Sequence, residues 1–351
     1  MGIFTALIIL SFLIFFHELG HFSAARFFGV QVDVFSIGFG KQLISRQIGK
    51  TQWRVSMIPL GGYVKMKGQD DSDPSFVSYD EDSYNIKKPW QRIIILLAGP
   101  FANFLLAFLL YLSISLIGVP KILAVIGDVN STQPAYKAGI EVGDRITAIN
   151  GQKIDYWNDI GSVIQHSPAN LEVTVLRENE YIQLTVLPEI QSVQNRFNER
   201  VERKIIGIRA DLNATITVKY GLSEGLEYAY QQTQNASMII VTGLQKLLSG
   251  LVPMNQLGGV VSIVDVTAKA SSVGIISLLF FTALISVNLG VLNLLPIPAL
   301  DGGHIVFNFY EMISKRKPNQ EIMYRLTLIG WAILLSMMLL GLYNDINRLL
   351  G

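Results

Sequence analysis

The chain has 351 residues, of which half are hydrophobic and only 16% charged, and its mean hydropathy is +0.39. A soluble globular domain carries about 25% charged residues, so an ordinary soluble enzyme is excluded and the bilayer is the first solvent to consider. Twenty-eight basic against twenty-seven acidic side chains leave a net charge of +1, which offers no basic face to a nucleic acid; the lack of cysteine excludes disulfides, thiolate metal sites and thiol nucleophiles.

Four stretches are long and apolar enough to cross roughly 30 Å of hydrocarbon at about 1.5 Å per residue: about 2–24, 92–118, 274–297 and 324–343. The first lacks a basic start and a small-residue cleavage site, so it reads as a retained span rather than a signal peptide. It carries His17-Glu18-Leu19-Gly20-His21. In a helix the two imidazoles, at i and i+4, share a face and can grip one Zn²⁺, while Glu18 is placed to take a proton from water. With four His and thirteen Glu in the chain, a chance match is expected in about two of a thousand such sequences. Ionisable groups inside hydrocarbon are costly and therefore functional by default; polar adhesion between helices explains one histidine but not this spacing.

Arg26, Lys41, Arg46, Lys50, Arg54, Lys65 and Lys67 follow the first span, and Lys315, Arg316 and Lys317 lie between the third and fourth. The positive-inside rule makes both loops cytoplasmic. Both chain ends and the segment of about 119–273 are then expected outside. Within the first loop the alternation from Gln52 to Met57 is compatible with a strand.

Between the second and third spans, Ala138-Gly139-Ile140 and the run Gly143-Asp144 to Asn150-Gly151 read as A-G-I-x-x-G-D-x-I-x-x-I-N-G. Asn-Gly predicts a type I′ hairpin turn, whose two central residues need positive φ. β-rich runs at Leu171–Leu176 and Ile182–Leu187 and a helical stretch near Tyr156–Gln165 surround it. The segment of about 120–212 resembles a PDZ domain of the bacterial protease type, a module that takes an extended peptide as an added strand. Further on, Met238–Val252 is apolar over only about 15 residues, too short for a span, and is expected as an interfacial or buried helix.

A catalytic zinc wants three protein ligands and an open position. The third span ends in Asn293-Leu-Leu-Pro296-Ile-Pro298-Ala-Leu-Asp301-Gly302-Gly303-His304. The two prolines cannot continue a helix, and irregular backbone at membrane depth is tolerated only when buried in protein or lining a wet cavity. Asp301 is therefore the expected third ligand; the alternative is His304 as ligand with Asp301 as a helix N-cap. If the first span starts near Ile3, His17 lies about 21 Å along it, toward the cytoplasmic side. Asp301 can meet it only if residues 238–252 do not cross.

H-E-x-x-H in the first span, N-x-x-P-x-P-x-x-x-D-G at the end of the third and a PDZ-like module between them resemble the site-2 protease family of intramembrane zinc metalloproteases, within it the bacterial regulator-of-sigma-E protease branch. Gly38-Phe39-Gly40, Ile58-Pro59-Leu60-Gly61-Gly62-Tyr63-Val64-Lys65 and Ala98-Gly99-Pro100-Phe101-Ala102-Asn103 add to the likeness. The resemblance implies a polytopic α-helical membrane protein with four transmembrane helices, a membrane-associated β-hairpin and an inserted extracytoplasmic α+β PDZ domain. The implied domains are 1–118 (first two helices, with a cytoplasmic-side reentrant hairpin at about 30–66), 119–215 (PDZ), 216–273 (outward or interfacial helical segment) and 274–351 (last two helices).

It further implies residence in a bacterial inner membrane, Zn²⁺ on His17, His21 and Asp301, Glu18 as general base, and Asn293 as hydrogen-bond donor to substrate or oxyanion. The hairpin around Gly38, Gly40, Trp53, Val55 and Met57 is expected to bind unwound substrate by strand addition. The implied partners are single-span membrane proteins such as trimmed anti-sigma factors and leftover signal peptides, a peptide at the PDZ module, and membrane lipid. Two features depart from the branch: there is room for one PDZ module rather than two in tandem, and Leu257–Ile263 matches a glycine-proline stretch only loosely. A non-proteolytic zinc-binding scaffold that recruits partners through the PDZ module is the alternative function; the intact Glu18 argues against it, because a structural metal needs no base.

Overall fold

The computed structural model describes residues 2–69, 78–167, 170–195 and 199–350, with the side chains of Pro59 and Leu60 left aside. In chain order it contains α1 (Gly2–Phe27), β1 (Val32–Ile48), β2 (Thr51–Met66) and α2 (Pro89–Ile117). There follow β3 (Val119–Ile122), β4 (Ile126–Val129), α3 (Pro134–Lys137), β5 (Arg145–Ile149), β6 (Gln152–Lys153) and α4 (Trp157–His166). Next come β7 (Leu171–Arg177), β8 (Glu180–Val186), β9 (Glu189–Gln194), β10 (Arg200–Ile205), β11 (Ile208–Ala210) and β12 (Thr215–Val218). The chain closes with α5 (Leu222–Leu248), α6 (Val260–Val273), α7 (Ile275–Asn293), α8 (Asp301–Ser314) and α9 (Gln320–Leu350). Two compact units result, one of residues 1–114 with 226–351 and one of 115–225.

In the first unit, α1, α2, α7 and α9 are the four described helices long and apolar enough to cross a membrane. These are the four spans expected from hydropathy. The third ends sooner than expected, at Asn293 rather than 297, because Pro296 and Pro298 lack the donors a helix needs. Without a hydrophobic drive between helices in lipid, close approach of small residues does the packing. A Cβ on Gly20 of α1 would run into the Ala98 carbonyl and the Ala102 methyl of α2, and one on Gly290 of α7 would come 3.1 Å from the Phe104 ring. Ile9 and Leu13 of α1, Leu106 of α2 and Ile285 of α7 form the shared core.

Of Met238–Val252, expected as a short helix, residues 238–248 form the end of the 27-residue α5, which stops at Leu248. The loosely matching Leu257–Ile263 leads into α6, which packs on α1, α7 and α9. A helix N-terminus leaves amides without partners, and here another helix supplies them: Asp345 of α9 accepts from the backbone of Gly259 and Ser262 at 3.0 Å each and from the Ser262 hydroxyl. Asn344 beside it donates to the Met254 and Leu257 carbonyls.

The strands β1 and β2 pair as an antiparallel hairpin over residues 32–66, the stretch of about 30–66 where a hairpin was expected. Its inner half is paired twice, Phe35 facing Val64 on one flank and Trp53 on the other, Ile37 facing Gly62 and Val55. Gly38 and Gly40, at φ +91° and +83°, turn the chain out of this inner sheet at a conformation that only glycine adopts cheaply. Beyond them residues 41–50 are all exposed, Leu43, Ile44 and Ile48 among them.

The second unit has a four-stranded sheet in the order β6-β5-β7-β8 and the pairs β3–β12, β4–β11 and β9–β10. Its core is built on Ile126, Ile140, Ile146, Ile149, Ile160, Leu171, Val173 and Val175. The Asn150-Gly151 turn has the positive φ expected of it, +49° and +76°. Asp144, 1% exposed, takes the Arg177 guanidinium on both oxygens at 2.7 and 2.8 Å and also receives the Glu141 amide.

Candidate active site

The site lies in the first unit where α1, α2 and the start of α8 meet. His17 Nε2 and His21 Nε2 are 3.2 Å apart, and each lies within 3.4 Å of Asp301 Oδ2, at 3.3 and 3.4 Å. Ligand atoms about 2.0–2.1 Å from a tetrahedral zinc sit about 3.3–3.4 Å from one another. The triangle therefore has the edge length of one face of a zinc tetrahedron, with the fourth corner left to water or substrate. Asp301 Oδ2 is buried and, among the described residues, has no hydrogen-bond donor, which a cation answers better than a second neutral group. Among the described residues, these three are the His, Asp and Glu side chains so clustered.

Each candidate ligand is placed by local sequence. His17 and His21 come to one face by the helical i, i+4 spacing. Gly99 of α2 makes room for the second ring, since a Cβ there would overlap the His21 imidazole. Asp301 opens α8 directly after the broken backbone 294–300, where a helix N-terminus favours a carboxylate. Gly302 and Gly303 let that turn fold tightly, because a Cβ on either would strike the carbonyls of Leu294 and Leu295 or of Ile297. His304 sits one turn further along α8, edge-on to Phe307 with ring centroids 6.1 Å apart, and is not part of the cluster. Asp301 is the first helical residue rather than the cap, which falls on Leu300.

Glu18 is 9% exposed and faces the hairpin: a Cβ on Gly62 would come 3.1 Å from Glu18 Cγ. Gly62 thus lets backbone run past the glutamate. Asn293 is the last residue of α7, separated from Asp301 by the loop; among the described residues, no hydrogen bond ties it to His17, His21 or Asp301.

The residues expected to bind substrate along the hairpin fall in different surroundings. Trp53 stacks on Phe35, centroids 4.3 Å apart, and meets Phe22 of α1 edge-on, so it anchors the hairpin to the first span. Val55 pairs with Ile37 on one side and Ile44 on the other and has no flank to offer an added strand, contrary to the edge position expected for it. Met57 is exposed, and Gly38 and Gly40 form the turn. Pairing is one-sided at 42–48 and at 62–64, and the second of these passes Glu18.

Sequence reasoning gave no role to Asn103 of α2, although its motif stood out. It is fully buried, with its amide Nδ2 3.1 Å from His17 Nδ1 and its backbone carbonyl accepting from Ser286 of α7 at 2.7 Å.

Residues 5–337 match the model of peptidase family M50. The chain is 46% identical over 99% of its length, and 94% of the other's, to a Campylobacter jejuni protein named "Putative zinc metalloprotease Cj1068". It is 41% identical to a zinc metalloprotease, so named with the same qualifier, of Helicobacter pylori strain J99, 99% of each chain being covered. To the regulator of sigma-W protease RasP of Bacillus subtilis it is 30% identical, over 98% of this chain and 97% of that one.

Proposed function

Since the chain belongs to peptidase family M50, the site-2 type zinc metalloproteases, we propose that it cleaves single-span membrane proteins within or near their spans. The observation that carries this reading is the His17, His21 and Asp301 triangle of 3.2–3.4 Å edges, two of its corners on a helix long and apolar enough to cross a membrane. When bound there, zinc supplies a Lewis acid that polarises a carbonyl and acidifies water.

The chain's own residues do the rest. His17 Nε2, His21 Nε2 and Asp301 Oδ2 hold the ion. Glu18, one residue from the first ligand, takes the proton of the attacking water and returns it to the leaving amine. Asn293, on the edge of the broken segment, donates a hydrogen bond to the substrate or its oxyanion. A helical substrate must unwind first, and its freed amides and carbonyls need partners where water is scarce. The one-sided flank of residues 62–64 offers them by strand addition, beside Glu18. Spans containing glycine or proline unwind most easily and are the favoured substrates.

The likeness to the regulator of sigma-W protease supports a role in regulated proteolysis of anti-sigma-like proteins and in clearing signal-peptide remnants. The basic residues after α1 and between α8 and α9 support a cytoplasmic-side active site in a bacterial inner membrane. The unit 115–225, with its Asn150-Gly151 hairpin turn and small four-stranded sheet, is read as an outward PDZ-like module that screens substrates or binds a peptide.

The test is cleavage of a panel of single-span reporters in detergent by the native chain and by Glu18→Gln. The variant is expected to keep one zinc per chain and lose at least about 100-fold in rate. A zinc-loaded Glu18→Gln that cleaves at more than a few per cent of the native rate removes Glu18 from the role of base.

A further inference from the structure

The two histidines are held differently at the nitrogens that face away from Asp301. His21 Nδ1 is 2.8 Å from the backbone carbonyl of Ile95. A carbonyl only accepts, so Nδ1 carries the ring proton and Nε2 is bare and ready to ligate. His17 Nδ1 instead meets the Asn103 side-chain amide, with Nδ2 at 3.1 Å. The two ends of a side-chain amide have nearly one shape, so the tautomer of the ring is set by which end, donor Nδ2 or acceptor Oδ1, faces Nδ1. With Nδ2 facing it, Nδ1 accepts, the ring proton sits on Nε2, and Nε2 cannot ligate. Meanwhile Asn103 Oδ1 is buried with no partner, in a residue 0% exposed. A half-turn about the Asn103 Cβ–Cγ bond exchanges the two ends of the amide. Oδ1 then accepts from a protonated Nδ1, and Nε2 is free to bind metal.

We infer that Asn103 is a positioning residue that selects the His17 tautomer: with Oδ1 turned to the ring it accepts from a protonated Nδ1 and leaves Nε2 free to hold the metal. Aspartate can only accept, and leucine, of similar size, can neither donate nor accept. The inference rests on the reading of His17, His21 and Asp301 as the zinc ligands.

The experiment measures zinc affinity of the purified full chain in detergent, by competition with a chromophoric chelator, and the visible spectrum of the cobalt-substituted protein. Asn103→Leu is expected to weaken zinc binding about 10- to 100-fold and to alter the cobalt spectrum, while the metal-free protein melts as the native chain does. Asn103→Asp is expected to restore native or tighter binding, a rescue that mere space-filling between helices would not produce, and it carries the test if the leucine variant fails to fold. Native affinity in a folded Asn103→Leu, or an Asn103→Asp that binds as weakly as the leucine variant, overturns the proposal. Asp301→Ala serves as the reference. If it loses zinc while Asn103→Leu does not, the ligand assignment stands and the tautomer role falls; if Asp301→Ala binds zinc as the native chain does, the ligand set is wrong and the tautomer role falls with it.

Discussion

At the scale of single residues, the metal site discriminates between two neighbours on α8. Asp301 Oδ2 completes the triangle with the histidine nitrogens, whereas His304 is turned toward Phe307. Asp301→Ala is therefore expected to lose both zinc and cleavage, and His304→Ala to keep most of each, as read by metal analysis and reporter cleavage; the opposite pattern would move the ligand role to His304. His17, Glu18 and His21 were legible because helical periodicity converts a spacing of four residues into one face. Asp301 was legible because a third ligand was needed and two prolines forbade a helix just before it. Asn103 and Asp345 were not: each acts through partners more than 80 residues away in the chain, and a buried polar side chain in an apolar helix looks the same in a sequence whatever it touches.

Among the elements, the hairpin shows most clearly how pairing decides what a strand can do. Alternation at 52–57 identified a strand, but Val55 is flanked by Ile37 and Ile44, so its amide and carbonyl are committed within the sheet. Pairing is one-sided at 42–48 and at 62–64, and the second of these runs past Glu18. Neighbouring strand residues direct their amides to opposite sides, so of Tyr63→Pro and Val64→Pro one breaks the internal ladder and the other removes an outward donor. The proline variant that leaves the melting temperature unchanged should cut cleavage of a helical span well below its alanine counterpart. Equal activity of that proline and its alanine would place substrate unwinding elsewhere.

A second prediction at this scale concerns the loop of Gly139 to Asp144. Asp144 is nearly fully buried and binds Arg177 through both oxygens, while Arg177 also reaches Glu141 and the Gly139 carbonyl. Arg177→Leu leaves that carboxylate without its partner and should destabilise the unit by about 2 kcal/mol, measured by chemical unfolding. The Gly-Asp pair had been read as part of a module signature; its physical reason is this cross-strand clamp.

For the whole molecule, the proposed chemistry falls in one of the two units. All groups assigned to hydrolysis lie within 1–114 and 226–351, and 115–225 has its own core. Replacing residues 120–212 with a short linker is expected to leave cleavage of a pre-trimmed single-span substrate intact and to raise cleavage of one with a bulky outward domain. A folded, zinc-loaded deletion with no activity on either would make the second unit part of the catalytic architecture.

Hydropathy and length by themselves determined the four spans, since crossing a bilayer is a one-dimensional requirement on composition. Spacing alone likewise determined the H-E-x-x-H face and the Asn150-Gly151 turn, because both depend on backbone geometry within a few residues. Tertiary structure alone decided that α6 would start on a carboxylate from α9, that the inner hairpin would be paired on both flanks, and that the glycines at 20, 62 and 99 mark close approaches of another segment. The reason is common to all of these. They are relations between segments distant in the chain, and a polar or glycine position becomes meaningful only when the neighbour that satisfies or crowds it is brought alongside.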